Sequence, residues 1–202
     1  MELGAGGTVR KFVECGVEVK SIVFSPCKKS VPKGLPKDTL IKECHEAAEH
    51  LGIKDRTILD YEVREFHKYR EEIRHTLYLT RKDFEPDLVV TSWHRDMHQD
   101  HQTLGEESKG AFMRSGISIW EYQVPGTCRG FDPQTFVVLS EDDVQKKIEM
   151  LQKYKSQVNY PRDYFSPDKI KAFLKHMGTF IRMEYAEGFV QDKAIFTEFN
   201  SP

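Results

Sequence analysis

Apolar and polar residues alternate along this chain with two periods, and the switches between them outline its elements. VEVKSIVF (17–24) alternates every second residue and is rich in β-branched side chains, which predicts a strand. RTILDY (56–61), DLVVTS (87–92) and ISIWEY (117–122) predict three more. Between them the period lengthens. After Asp38, residues Leu40, Ile41, Cys44, Ala47, Ala48 and Leu51 share one helical face, and Gly52 supplies the stop. Ile73, Leu77 and Phe84 mark a helix over 69–84, closed by Pro86, and 102–116 carries another that ends at Gly116. Val9, Phe12 and Val13 predict a helix over 4–15. Ser140, with Asp143 in a capping-box position, starts a helix reaching Tyr154, and Ser166-Pro167 opens a last one. Residues 25–37, broken by Pro26, Pro32, Gly34 and Pro36, read as a loop near a site entrance.

Strands alternating with helices of this length predict an α/β protein: a Rossmann-like three-layer α/β/α sandwich around a mostly parallel sheet. With 202 residues, no internal repeat and no break in composition, the chain reads as a single domain, 1–202. In such folds, sites collect at the carboxyl ends of the strands.

Composition narrows the function. Hydrophobic residues make up 39% and charged residues 31%, with a formal net charge of −2. A near-balanced charge offers no electrostatic footprint for nucleic acid or an anionic membrane surface. No apolar run approaches the roughly 18–20 residues of a spanning helix, and the N-terminus shows no signal-peptide pattern. Cys15, Cys27, Cys44 and Cys128 match no C-x-x-C spacing and read as reduced packing thiols of a cytoplasmic protein.

Candidate chemistry concentrates in TSWHRDMHQDHQTLGEES (91–108), where His94, His98 and His101 interleave with Asp96 and Asp100 directly after the strand DLVVTS. Neutral imidazoles bind zinc, and a neighbouring carboxylate fixes the tautomer. An H-x-x-H pair can be two ligands, or one ligand with one acid/base partner. The competing reading is a set of solvated loop residues, which three histidines and two aspartates at a strand end disfavour. The spacing is not H-E-x-x-H on a long helix. MELGAGG, at the start, hints at a phosphate-cradling loop and hence at a dinucleotide-dependent oxidoreductase. Position 9 is valine rather than the third glycine of G-x-G-x-x-G, however, and no strand precedes it. The alternative is a helix start whose small residues let backbone pack closely on the sheet.

Read together, MELGAGGTVRKF and the D-x-H-x-D-H of DMHQDH (96–101) resemble the PIG-L/LmbE-like family of zinc-dependent N-deacetylases acting on N-acetylglucosamine-type compounds. LDYEVREF (59–66), PDLVVTS (86–92), YKSQ (154–157) and EYAEGF (184–189) extend the similarity through most of the chain. The family's A-H-P-D-D segment, which would precede Met1 and end the first sheet strand, is missing. The resemblance therefore implies an N-terminally truncated domain with an incomplete zinc site. By the same resemblance His101 is the metal ligand, and His98 is the acid or oxyanion partner in catalysis. Asp100 is the carboxylate that holds an imidazole tautomer, more so that of His98. Arg64 and Asp96 are substrate-binding residues; Arg64 can equally be a surface arginine paired with Glu62 or Glu65. The implied reaction removes an acetyl group from an acetylated amino sugar, and the family admits a homo-oligomer. The alternative is a metal-free relative that binds a sugar or nucleotide-sugar without turnover.

Overall fold

The computed structural model describes residues 1–159 and 163–195. In chain order the elements are α1 (Glu2–Glu14), β1 (Lys20–Val23), α2 (Thr39–Leu51), β2 (Asp55–Ile58), α3 (Arg70–Phe84), β3 (Leu88–Ser92), α4 (Gln99–Phe112) and β4 (Ser118–Tyr122), followed by β5 (Thr135–Leu139), α5 (Glu141–Leu151), α6 (Lys155–Val158), α7 (Pro167–Thr179) and β6 (Tyr185–Lys193). Local chemistry sets many of the ends. Gly52, at φ +76, closes α2 with its N–H on the Ala48 and Glu49 carbonyls. Ser140 and Asp143 form the reciprocal capping box of α5. Ser166 accepts the Lys169 N–H ahead of Pro167 in α7.

The fold is the expected Rossmann-like α/β arrangement, with a difference in the sheet. Pairing is parallel between β1 and β2 and between β3 and β4, but β6 runs antiparallel to both β4 and β5. The strands β5 and β6 fall outside the four expected ones. Among the described residues the strands form two sheets, β1-β2 and β3-β4-β6-β5. Parallel strands are ordinarily covered on both faces, yet all of β1 and the first three residues of β3 are only half-buried. Apolar packing still joins the sheets. Phe24, just after β1, shares a cluster with Ile119 of β4, Ile73 and Leu77 of α3 and Phe112 of α4. The second cluster unites α1, α2, α5 and α7 with Leu139 of β5 and Tyr185 of β6.

Close approach explains the glycine-rich start. A Cβ on Gly4 would lie 2.5 Å from the Gln123 carbonyl oxygen, and one on Gly7 would lie 2.7 Å from the Leu139 side chain. The Glu187 carboxylate accepts the N–H groups of Gly7 (2.9 Å) and Thr8 (2.6 Å). It also pairs with Lys147 at 2.5 Å, and both side chains are sealed from solvent. Those amides are therefore occupied by protein, and the stretch packs α1 onto the sheet instead of cradling a phosphate. YKSQ is likewise a latch: Tyr154 donates to Glu2 (3.2 Å), and the Ser156 N–H and hydroxyl both reach Glu43 at 2.7 Å.

Candidate active site

The histidine cluster leaves β3 at its carboxyl end, as expected, and then becomes part of α4. The helix begins at Gln99, three residues earlier than the apolar periodicity suggests, because His98 is its N-cap. The His98 Nδ1 accepts the Asp100 N–H at 3.2 Å. Trp93 extends the strand pairing by donating its N–H to the Tyr122 carbonyl (3.0 Å), and the Ser92 hydroxyl donates to the His101 carbonyl (2.8 Å). Gly105 lets α4 press onto this strand end: a Cβ there would sit 2.5 Å from the Ser92 oxygen and 2.8 Å from the His94 nitrogen.

His98 and His101 stack with ring centroids 4.5 Å apart and planes 28° from parallel. Their hydrogen bonds assign the neutral rings opposite tautomers. The His101 Nδ1 lies 3.1 Å from an Asp96 carboxylate oxygen, which can only accept, so Nδ1 carries a proton and, in the neutral ring, Nε2 keeps its lone pair. The His98 Nδ1 is itself the acceptor, so its proton sits on Nε2. The pair thus offers one bare nitrogen and one N–H, with no partner for either Nε2 among the described residues. Burial, then the neighbouring charge of His101, lowers the pKa of His98, with Arg64 acting the same way; Asp100 and Asp96 oppose them. His98 is consequently a neutral donor near pH 7.

Asp96 is 2% exposed. Its two oxygens accept the His98 N–H (2.7 Å), the His101 ring, the Thr127 hydroxyl (2.9 Å) and the Cys128 thiol (3.1 Å). Burial alone would raise its pKa; hydrogen bonds from His101, the His98 amide and Cys128 outweigh it and hold the carboxyl at about 2. The expected role of Asp100 changes here. Its carboxylate touches neither imidazole, and accepts instead the backbone N–H groups of Arg64 (2.5 Å) and Phe66 (3.2 Å). Asp100, at the second helical position, points away from the pair toward the 62–66 turn. Asp96, before the helix, is the one that can fold back over it.

That turn holds Arg64 at φ +70, a left-handed conformation costly for a non-glycine residue. Glu62 and Glu65 pair with Lys29, and Glu65 also with Lys68, so neither takes the Arg64 guanidinium. The exposed Arg64 side chain adds its charge beside His98. His94 stands apart from the pair, with its Nδ1 2.9 Å from both oxygens of Glu121, a fully buried carboxyl on β4 whose pKa burial raises. Trp93 packs edge-on against Phe131 at 5.3 Å, as a wall. Sequence reasoning missed Glu121, Thr127 and Cys128, which approach the cluster from 27 to 32 residues away.

A zinc site needs three or four ligands. The bare His101 Nε2, oriented by a buried carboxylate, fits one corner of such a site. Among the described residues no group of three His, Cys, Asp or Glu side chains is arranged to hold a metal ion. The Cys128 thiol is turned to Asp96, to which it donates at 3.1 Å, and burial and then that carboxylate push it up to about 12.

Known structures share this fold. The conserved protein TT1542 from Thermus thermophilus superposes with a TM-score of 0.81 at 20% identity, covering 100% of this chain and 94% of that one. N,N'-diacetylchitobiose deacetylase from Pyrococcus horikoshii, complexed with its inhibitor MPG, gives 0.76 at 23% identity, covering 94% and 78%. The A40926 pseudoaglycone deacetylase Dbv21 gives 0.77 at 14% identity, covering 96% and 93%. In sequence, residues 1–112 match the family model PIG-L, GlcNAc-PI de-N-acetylase, and so include the glycine-rich helix, Arg64 and the whole histidine cluster. With more than half its length matched in this way, the chain belongs to the PIG-L family of deacetylases.

Proposed function

We propose that the chain carries the His98–His101 part of the active site of a zinc-dependent hydrolase that removes an acetyl group from an N-acetylglucosamine-type sugar or conjugate. The observation that supports this best is the stacked pair itself, with His101 Nδ1 on a buried carboxylate and His98 Nδ1 accepting a backbone N–H. Zinc, when bound, would polarise the acetyl carbonyl and lower the pKa of a bound water; His101 would be one of its ligands. His98 Nε2–H would donate to the developing oxyanion or to the departing amine. Arg64, exposed, beside His98 and in no ion pair among the described residues, would grip a substrate hydroxyl or phosphate, and Asp96 acts behind His101 more than on the sugar. The family description and the diacetylchitobiose deacetylase favour an acetylated amino sugar as the substrate class.

The remaining ligands, in this reading, belong to a further parallel strand lying between β1 and β3. One feature supports its place: β1 and β3, each half-buried and each an edge strand of its sheet, are not paired with each other. The test is to express the chain behind an A-H-P-D-D segment. About one zinc per chain and release of acetate from an N-acetylglucosamine-type substrate are expected; no metal uptake under non-chelating conditions rejects the proposal. A second reading, a metal-free relative that binds an acetylated sugar without turnover, draws on the lack of a three-ligand group among the described residues. Sugar binding that persists when the extended protein neither takes up zinc nor releases acetate favours it. No helix among the described residues is long and apolar enough to cross a membrane. Cys44 and Cys128, neither in a disulfide, suit the reducing cytoplasm, where we place the protein.

A further inference from the structure

The Asp96 carboxylate is held from a direction that the D-x-H-x-D-H stretch does not provide. The chain leaves β4 at Tyr122 and turns through Gly126, at φ +92, a conformation glycine adopts without strain. It then returns over the start of α4. There the Thr127 carbonyl accepts the Met97 N–H at 2.9 Å, while the Thr127 hydroxyl and Cys128 thiol both donate to Asp96 Oδ2. The same oxygen takes the His101 Nδ1–H. Three donors therefore converge on one carboxylate oxygen, and the other oxygen takes the His98 amide.

We infer that Thr127 and Cys128 are positioning residues for His101. By donating to Asp96 they keep its carboxylate an acceptor aimed at Nδ1, and so keep Nε2 bare and facing the site. The inference gives that reading of His101 as a ligand a dependence on the 123–128 turn. The physical reason is that a carboxylate whose remaining lone pairs are occupied cannot rotate away without breaking several charge-assisted hydrogen bonds. The thiol suits this role because it lies 3.1 Å from Asp96 Oδ2 as a donor, and burial beside that carboxylate favours its protonated form. Alanine or valine at these positions removes the donors, and serine restores them at nearly the same reach.

The test reads the His101 ring by long-range proton–nitrogen NMR on the 202-residue chain at pH ~8, above the ordinary imidazole range of about 6.5, with His101→Gln identifying the signals. In the unsubstituted chain the ring carries its proton on Nδ1. In Thr127→Val/Cys128→Ala the ratio of Nδ1–H to Nε2–H forms falls roughly tenfold, the effect of about one hydrogen bond. Thr127→Ser/Cys128→Ser keeps the original ratio. Should the Val/Ala pair fail to fold, Cys128→Ala alone carries the same prediction with a shift of roughly threefold. An unchanged ratio in the Val/Ala chain overturns the inference. So does an equal fall in the serine chain, since packing and not hydrogen bonding would then be the cause. The readout needs neither metal nor turnover, so a failure of the deacetylase test and a failure of this one are separate results.

Discussion

Two buried carboxylates serve this fold in opposite ways. Glu187, on β6, takes the Gly7 and Thr8 amides and the Lys147 ammonium, and Lys147 in turn donates to the Leu3 carbonyl at 2.6 Å. Its neutralising partner is a full positive charge sealed in with it. Asp96 takes an amide, a hydroxyl, a thiol and an imidazole, and the imidazole is bifunctional: whatever Asp96 fixes on Nδ1 is expressed at Nε2. One carboxylate closes a structure, and the other projects a chemical property outward. The contrast shows that burial and hydrogen-bond count do not by themselves mark a site. What marks it is a partner with an unspent atom.

The largest expected effect tests the closed carboxylate. Lys147→Met should lower the unfolding free energy by about 3–5 kcal/mol in urea titrations, because it strands a buried charge. Adding Glu187→Gln should recover part of that loss, since it removes the stranded charge while its single amide oxygen can still accept one of the two N–H groups, Gly7 or Thr8, that the carboxylate takes on separate oxygens. A double variant as unstable as the single would mean that the ion pair itself is needed.

Asp96→Asn should cost less stability, about 1–3 kcal/mol, while disturbing the site more. The pH dependence sharpens the difference. The folded Asp96 sits at about 2, below the unfolded value of about 3.9. Its contribution is therefore full above pH ~4 and lost as pH falls toward 2. Denaturant titrations should show the gap between the parent chain and Asp96→Asn closing over that window, and a gap constant from pH 6 to 2 would contradict the assignment.

Gly7→Ala should destabilise by about 1–3 kcal/mol through overpacking, because its Cβ meets Leu139 at 2.7 Å and Glu187 at 3.2 Å. Arg64→Gly has the smallest effect and the opposite sign. It relieves the φ +70 backbone and should raise thermal stability slightly, by roughly 0.5–1 kcal/mol. It should at the same time weaken binding of an acetylated sugar in the zinc-restored protein. A stability loss would show that the side chain packs rather than waits for substrate.

Much of this was legible in the residue pattern. Four strands, every helix but the short α6 and the place of the histidines at a strand end follow from periodicity and punctuation. The strands β5 and β6 do not, because EYAEGFVQDK interrupts its alternation with Glu187 and Gly188, and the charge that makes Glu187 tolerable lies 40 residues earlier at Lys147. Within the site, spacing alone brings His98 and His101 together but cannot choose between Asp96 and Asp100. That choice depends on where α4 begins, and α4 begins early because a histidine caps it. Glu121, Thr127 and Cys128 were invisible for a simpler reason: β4 and the turn after it supply them, and only the sheet register brings them near.

The ring nitrogens of His98 and His101 in the unsubstituted chain test the central claim most directly. Proton–nitrogen NMR at pH ~8, above the imidazole range, should find the His98 proton on Nε2 and the His101 proton on Nδ1. The same tautomer in both rings, or a His101 proton on Nε2, would contradict it.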